Sequence, residues 1–121
     1  MHRFKELEIW KQSRVFCKDI YIVIANFPKS EKFGLISQLR RASVSIPSNI
    51  SEGTSRISSK DFSRYLEMAM GSCYEVETQI LLSNDLGFLK DTELIALQEK
   101  LTSIIKMISK FRSTINARIK N

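Results

Sequence analysis

Histidine is nearly absent from this chain: the single copy is His2, at the N-terminus. Di-metal chemistry in a helical bundle draws on carboxylates together with Glu-x-x-His pairs on facing helices. Without an internal histidine, Glu67, Glu75 and Glu77 read as surface or ion-paired groups, and no metal site is expected. An activated serine or cysteine needs a base to take its proton, and none is on offer. The four glycines, Gly34, Gly53, Gly71 and Gly87, stand singly, which excludes a glycine-rich phosphate-cradling loop. Four glycines and two prolines in 121 residues are also too few for the many tight turns of a sandwich or barrel. No apolar run approaches the ~20 residues that span a bilayer; the longest candidate, residues 15–27, is broken by Lys18 and Asp19. The start of the chain, with His2, Arg3, Lys5 and Glu6, carries no signal-peptide pattern. The Asn49-Ile50-Ser51 sequon is therefore read as accidental, and a soluble, cytoplasmic protein is expected. Cys17 and Cys73 lie far apart on apolar helical stripes and read as reduced, buried thiols. No spacing suits zinc, and no cofactor and no enzymatic activity are expected.

What is present is helical periodicity. Leu94, Leu97, Leu101, Ile104, Ile108, Phe111 and Ile115 follow alternating spacings of three and four, a heptad seam, with Asp91 or Thr92 expected to cap its start. Phe62, Leu66, Ala69, Cys73, Val76 and Ile80 form a second seam. Ser58 is its expected N-cap, with Asp61 three residues on, and Gly87 its stop. A first helix over residues 5–26 carries two apolar stripes. One holds Leu7, Trp10, Cys17, Tyr21 and Ile24; the other holds Ile9, Phe16, Ile20, Val23 and Phe27. So wide an apolar arc in a small domain points to a subunit interface. A helix over residues 31–53 buries Leu35, Leu39, Ala42, Ile46 and Ile50. The four make one all-α domain over residues 1–121, an antiparallel up-down-up-down four-helix bundle.

The second helix breaks a rule. Pro47 sits inside it, where a proline loses one hydrogen bond and clashes with the carbonyl four residues back, at roughly 3 kcal/mol. A kink near Pro47 is expected, with Ser43, Ser45, Ser48 and Asn49 placed to satisfy freed backbone groups. Beside the apolar face runs a polar stripe of Gln38, Arg41, Ser45, Asn49 and Glu52. It reads either as a solvated face or as a buried structural network in which Arg41 pairs with Glu52 or Glu75.

The charge is lopsided. Residues 100–121 hold six of the 19 cations and none of the 13 acids, so the rest of the chain is neutral and this segment carries the whole net +6. Lys106, Lys110, Arg112, Arg118 and Lys120 there, with Arg56, Lys60 and Arg64 around the turn between helices two and three, form a candidate phosphate-binding surface for RNA or DNA. The competing readings are a basic tail that opposes the helix dipole and is otherwise solvated, and a protein-interaction adaptor or assembly scaffold without a nucleic-acid role. Most Phe and Tyr residues fall on apolar stripes, so exposed aromatics for base stacking are not expected.

Several motifs resemble a known family across nearly the full chain: Phe4-Lys-Glu-Leu-Glu-Ile-Trp10; Phe27-Pro28 with Glu31-Lys-Phe-Gly-Leu35; Gln38-Leu-Arg-Arg-Ala42; Ser45-Ile-Pro-Ser-Asn-Ile50; Glu52-Gly53; and Gly71-Ser72 with Glu75. They are similar to those of the bacterial four-helix-bundle proteins encoded in intervening sequences of 23S ribosomal RNA genes, often labelled ribosomal proteins. That family is related to the accessory variability determinant proteins of diversity-generating retroelements. The resemblance implies a barrel-like homopentamer. For the retroelement branch it also implies binding of a reverse transcriptase and nucleic acid through a basic surface. Ser51 and Cys73 depart mildly from the small or apolar residues expected at those positions.

Overall fold

The computed structural model describes residues 3–119. Four α-helices carry the fold: α1 (Glu8–Ile24), α2 (Leu35–Thr54), α3 (Ser59–Asp85) and α4 (Asp91–Asn116). Short 3-10 turns at Phe4–Glu6 and Lys29–Glu31 precede α1 and α2. The described residues contain no strand, and no helix among them is long and apolar enough to cross a membrane.

The periodic seams become the core. Leu35, Leu39, Ala42, Ile46 and Ile50 of α2 are buried, as are Phe62, Leu66, Ala69, Cys73, Val76 and Ile80 of α3. From α4 come Leu97, Leu101, Ile104, Ile108 and Ile115, with Leu94 and Phe111 half-buried against them. α1 turns Ile9, Phe16 and Ile20 inward, and with them Ile24 from the other stripe. Its other stripe is graded, with Leu7 and Trp10 half-buried against the core and Tyr21 exposed.

Each helix packs on two neighbours, α1 and α3 both lying between α2 and α4, while the diagonal pairs stay apart. The contacts join opposite ends. Ser63 near the start of α3 meets Asn116 at the end of α4, and Asn84 near the end of α3 donates to Asp91 at 2.7 Å. Gln38 and Ser45 of α2 meet Gln79 and Ser72 of α3, and Lys100 of α4 reaches Asp19 of α1 at 2.6 Å. An up-down-up-down order requires this pattern.

The helix ends follow from local chemistry. Ser58 Oγ accepts the Asp61 N–H at 3.1 Å, an N-cap that satisfies one of the orphan donors of α3. Gly87 adopts φ +82°, and the N–H groups of Gly87 and Phe88 return to the carbonyls of Asn84 (3.0 Å) and Ser83 (2.9 Å). This is a Schellman stop. A Cβ at Gly87 would meet nothing within 4 Å, so only backbone strain opposes a side chain. Gly87→Ala is therefore expected to cost about 1 kcal/mol, read as a lower urea midpoint; an unchanged midpoint would mean that α3 stops for another reason.

The start of α4 differs from expectation. Its N-cap is Lys90, whose N–H donates to Glu93 Oε1 at 3.0 Å, while the Asp91 carboxylate is drawn to Asn84. α2 runs without interruption through Pro47. Asn49 Nδ2 donates to the carbonyl and hydroxyl of Ser45, each at 2.9 Å. Its target is thus not the Ser43 carbonyl, the one that Pro47 deprives of a helical donor.

Candidate nucleic-acid interface

Gly53 decides how α2 approaches α3. It is buried, and a Cβ there would lie 2.8 Å from Phe62 Cδ1 and 3.0 Å from Tyr65 Cβ. The absent side chain lets the first turns of α3 come up against the end of α2, and the connecting turn then lays Arg56 over Tyr65. The Arg56 guanidinium is 4.6 Å from the ring centroid and donates to the phenol oxygen at 2.6 Å. Arg64, one residue before Tyr65, lies 5.2 Å from the same centroid. Two guanidinium groups thus share one ring, a cation–π arrangement that orders both side chains. Lys60 is exposed nearby, and Ile57 stands fully exposed at the turn.

The end of α4 abuts this region. Phe111 packs on Phe62 at 5.7 Å, and Ser63 donates to Asn116 Oδ1. Arg112, expected on the binding surface, points at α3 instead. Its Nε donates to the Ser63 carbonyl and hydroxyl at 3.2 Å, and its Nη2 pairs with Glu67 at 2.7 Å. Lys106 and Lys110 are exposed four residues apart, close together on one face, whereas Arg112 lies on the opposite side of the helix. Lys110 borders α1, beside Leu7, Glu8 and Ile9. Arg118 is exposed just past the helix, and Lys120 lies outside the described residues.

The start of α3, the end of α4 and the start of α1 therefore meet at one end of the bundle. Of its acids, Glu6, Glu8 and Glu67 pair with Arg3, Lys11 and Arg112 respectively, whereas Asp61 and Glu52 are exposed and form no ion pair among the described residues. Among the described residues, Arg56, Lys60, Arg64, Lys106 and Lys110 form no ion pair. The fold gathers cations from two separate sequence segments, although it sets Lys106 and Lys110 on a different flank from Arg56 and Arg64.

The polar stripe of α2 divides. Ser45 and Ser72 hydroxyls are 2.8 Å apart, Asn49 joins them, and Gln79 Nε2 reaches Gln38 Oε1 at 3.5 Å. Gln79 is buried, and its Oε1 has no hydrogen-bond partner among the described residues. The expected pairing of Arg41 with Glu52 or Glu75 does not form within the protomer: all three are exposed and make no ion pair among the described residues. Only the inner edge of the stripe faces α3, where Ser72 and Gln79 meet it. Arg41 sits on the other edge, beside Arg40 in a groove that Tyr21 of α1 also lines.

Cys73 is fully buried, and burial, with a smaller push from the Glu77 carboxylate, raises its thiol to a pKa of about 12. Cys17 is half-buried and donates to Ser43 Oγ at 3.6 Å. Both are free thiols.

A family profile described as 23S rRNA-intervening sequence protein matches residues 5–110. The chain belongs to the 23S rRNA-intervening sequence protein family. Its fold is similar to a crystal structure of a protein of unknown function from the S23 ribosomal protein family of Bacteroides thetaiotaomicron, with a TM-score of 0.77. The likeness covers 86% of this chain and 97% of that one at 22% identity, and it speaks for the fold alone. Comparison with curated proteins gave no match. The match to the intervening-sequence family takes in Arg56, Lys60, Arg64, Lys106 and Lys110 and ends before Arg112, Arg118 and Lys120. The cations without ion pairs thus belong to the family-matched body of the bundle.

Proposed function

We propose that this protein is a non-enzymatic, homo-oligomeric bundle of the cytoplasm that binds RNA, or a ribonucleoprotein partner, through the basic end of its protomer. One observation carries the reading: Arg56, Lys60 and Arg64 cluster at one end of the bundle, Lys110 and Lys106 follow on another flank from that end toward the middle of α4, and none of the five forms an ion pair among the described residues. Holding like charges close is unfavourable until a polyanion replaces their counterions, and that release drives phosphate binding. Arg56 and Arg64, ordered on Tyr65, present guanidinium groups suited to phosphate oxygens. Arg118, exposed just past α4, extends the surface, while Arg112 supports it by anchoring α4 on α3.

The homopentamer is the assembly the family resemblance implies, with exposed Val15 and Ile22 on α1 as contact area. Should the chain belong to the retroelement branch, a reverse transcriptase carrying its RNA becomes the partner. A second reading, a protein-interaction adaptor without a nucleic-acid role, draws on exposed Met68, Tyr74, Leu81 and Leu82 along α3.

An electrophoretic shift of structured RNA at low salt tests the leading reading. Binding is expected, and Arg56→Gln with Arg64→Gln should weaken it about tenfold or more. A protein partner that survives nuclease treatment, with no RNA shift, would favour the adaptor. A monomer by light scattering would remove the assembly.

A further inference from the structure

A second concentration of positive charge lies away from the basic end, where the last turns of α1 meet the first half of α2. Tyr21, Lys32, Phe33, Ser37, Arg40 and Arg41 line a groove of about 470 Å³, within the range of roughly 300–1,000 Å³ typical of small-ligand sites. No acid lines it. Glu31, next to Lys32 in sequence, turns its carboxylate inward and accepts the Leu35 N–H at 3.1 Å, where it serves the start of α2. Asp19, on the same helix as Tyr21, is held by Lys100. Lys32, Arg40 and Arg41 form no ion pair among the described residues.

The aromatic content of the groove is as unusual as its charge. Phe33 is 88% exposed, although a polar residue would serve the turn before α2 without leaving a phenyl ring in water. Lys32 Nζ lies 5.4 Å from its centroid, and the Arg40 guanidinium lies 5.7 Å from that of Tyr21. Cation and ring therefore alternate across the groove. Exposed aromatics do occur in this protein, contrary to the expectation from the apolar stripes, and two of them border the three cations.

We propose that this groove is a binding site for a nucleoside monophosphate unit, with its phosphate among Lys32, Arg40 and Arg41 and its base on Phe33. A nucleotide supplies a partner for both features of the groove, an anion for its cations and a flat π surface for its exposed ring, within one small molecule. An acidic peptide or a free phosphate would neutralise the cations and leave the ring exposed. The site is separate from the basic end of the bundle and stands whether or not that end binds RNA.

Calorimetry of the full chain at low salt, with adenosine and uridine 5′-monophosphates, inorganic phosphate, adenosine and tetraglutamate, tests it. Either monophosphate should bind at least tenfold more tightly than phosphate, and adenosine should not bind measurably. Phe33→Ala should reduce monophosphate affinity about tenfold, toward that of phosphate, as the loss of one stacked base predicts. Phosphate affinity itself should not change. Arg40→Gln with Arg41→Gln should abolish both, with thermal unfolding confirming that the variant is folded. Equal affinity for monophosphate and phosphate would overturn the proposal, as would tighter binding of tetraglutamate. So would absence of monophosphate binding, including the case where Phe33→Ala changes only the oligomeric state.

Discussion

Gly53→Val is expected to destabilise the protein by about 1–3 kcal/mol, the usual penalty for forcing extra methyl groups into a packed site. Even the first added carbon would stand 2.8 Å from Phe62 Cδ1. Phe62 is buried and wedged against Phe111, and Tyr65 is held by Arg56, so neither ring can swing away freely. An opposing gain exists, because valine is a better helix residue than glycine by roughly half a kcal/mol. That gain is smaller than the packing cost, and the sign is set by the clash. Urea unfolding followed by circular dichroism gives the number. Equal or higher stability would mean that α2 and α3 need no glycine to approach one another. The same substitution should loosen Arg56 from Tyr65, because Tyr65 Cβ is the other atom in the way at 3.0 Å.

Raising the pH should expose Cys73. A thiol held neutral by burial, with its pKa pushed up to about 12, titrates in the unfolded chain near 8.5. Below that lower value both states keep the proton, and the thiol adds no pH dependence. Above it the unfolded chain releases the proton and the folded one does not, so stability falls as pH rises toward 12. The expected loss is about 1.4 kcal/mol per pH unit. Lysines and tyrosines also titrate in this window, so the informative quantity is the difference between the wild-type protein and Cys73→Ala. At pH 8 the wild type should be the more stable, because the variant leaves a cavity at a fully buried position of the core. From pH 9 to 11 the difference should move against the wild type by about 1.4 kcal/mol per pH unit, closing the gap and then reversing it. A gap independent of pH would contradict a buried, protonated Cys73.

How far the sequence could be read depended on whether a feature was local. The seams of α2, α3 and α4 needed only spacing, and each residue named for those seams is buried or half-buried. Ser58 and Gly87 act through backbone groups within a few residues of themselves, and both do as their residue types suggest. The start of α4 departs from its local signal because Asp91, a good cap by type, pairs with Asn84 across the turn, which no local rule weighs. Arg41 follows the solvated-face reading of the stripe, and not the network reading, for a related reason. Spacing puts it on the same stripe as Ser45, but only a packed neighbour decides which edge of a stripe faces inward. The sharing of Tyr65 by Arg56 and Arg64 joins a turn to a helix nine residues on, and depends on the approach that Gly53 permits. Arg112 illustrates the limit of counting charge: in the sequence it is one more cation in an acid-free segment, and in the fold it belongs to Glu67.

A basic bundle end that grips phosphates is the central proposal for this protein. The salt dependence of RNA affinity tests it directly, with fluorescence anisotropy of a structured RNA measured from low to moderate salt for the wild type and for Lys60→Glu with Lys110→Glu. Binding is expected at low salt and should weaken steeply as salt rises, with a logarithmic slope of about −0.9 per phosphate contact. The double variant should bind less tightly and lose about one unit of slope for each contact removed. No binding at low salt, or an affinity indifferent to salt and to both substitutions, would contradict it.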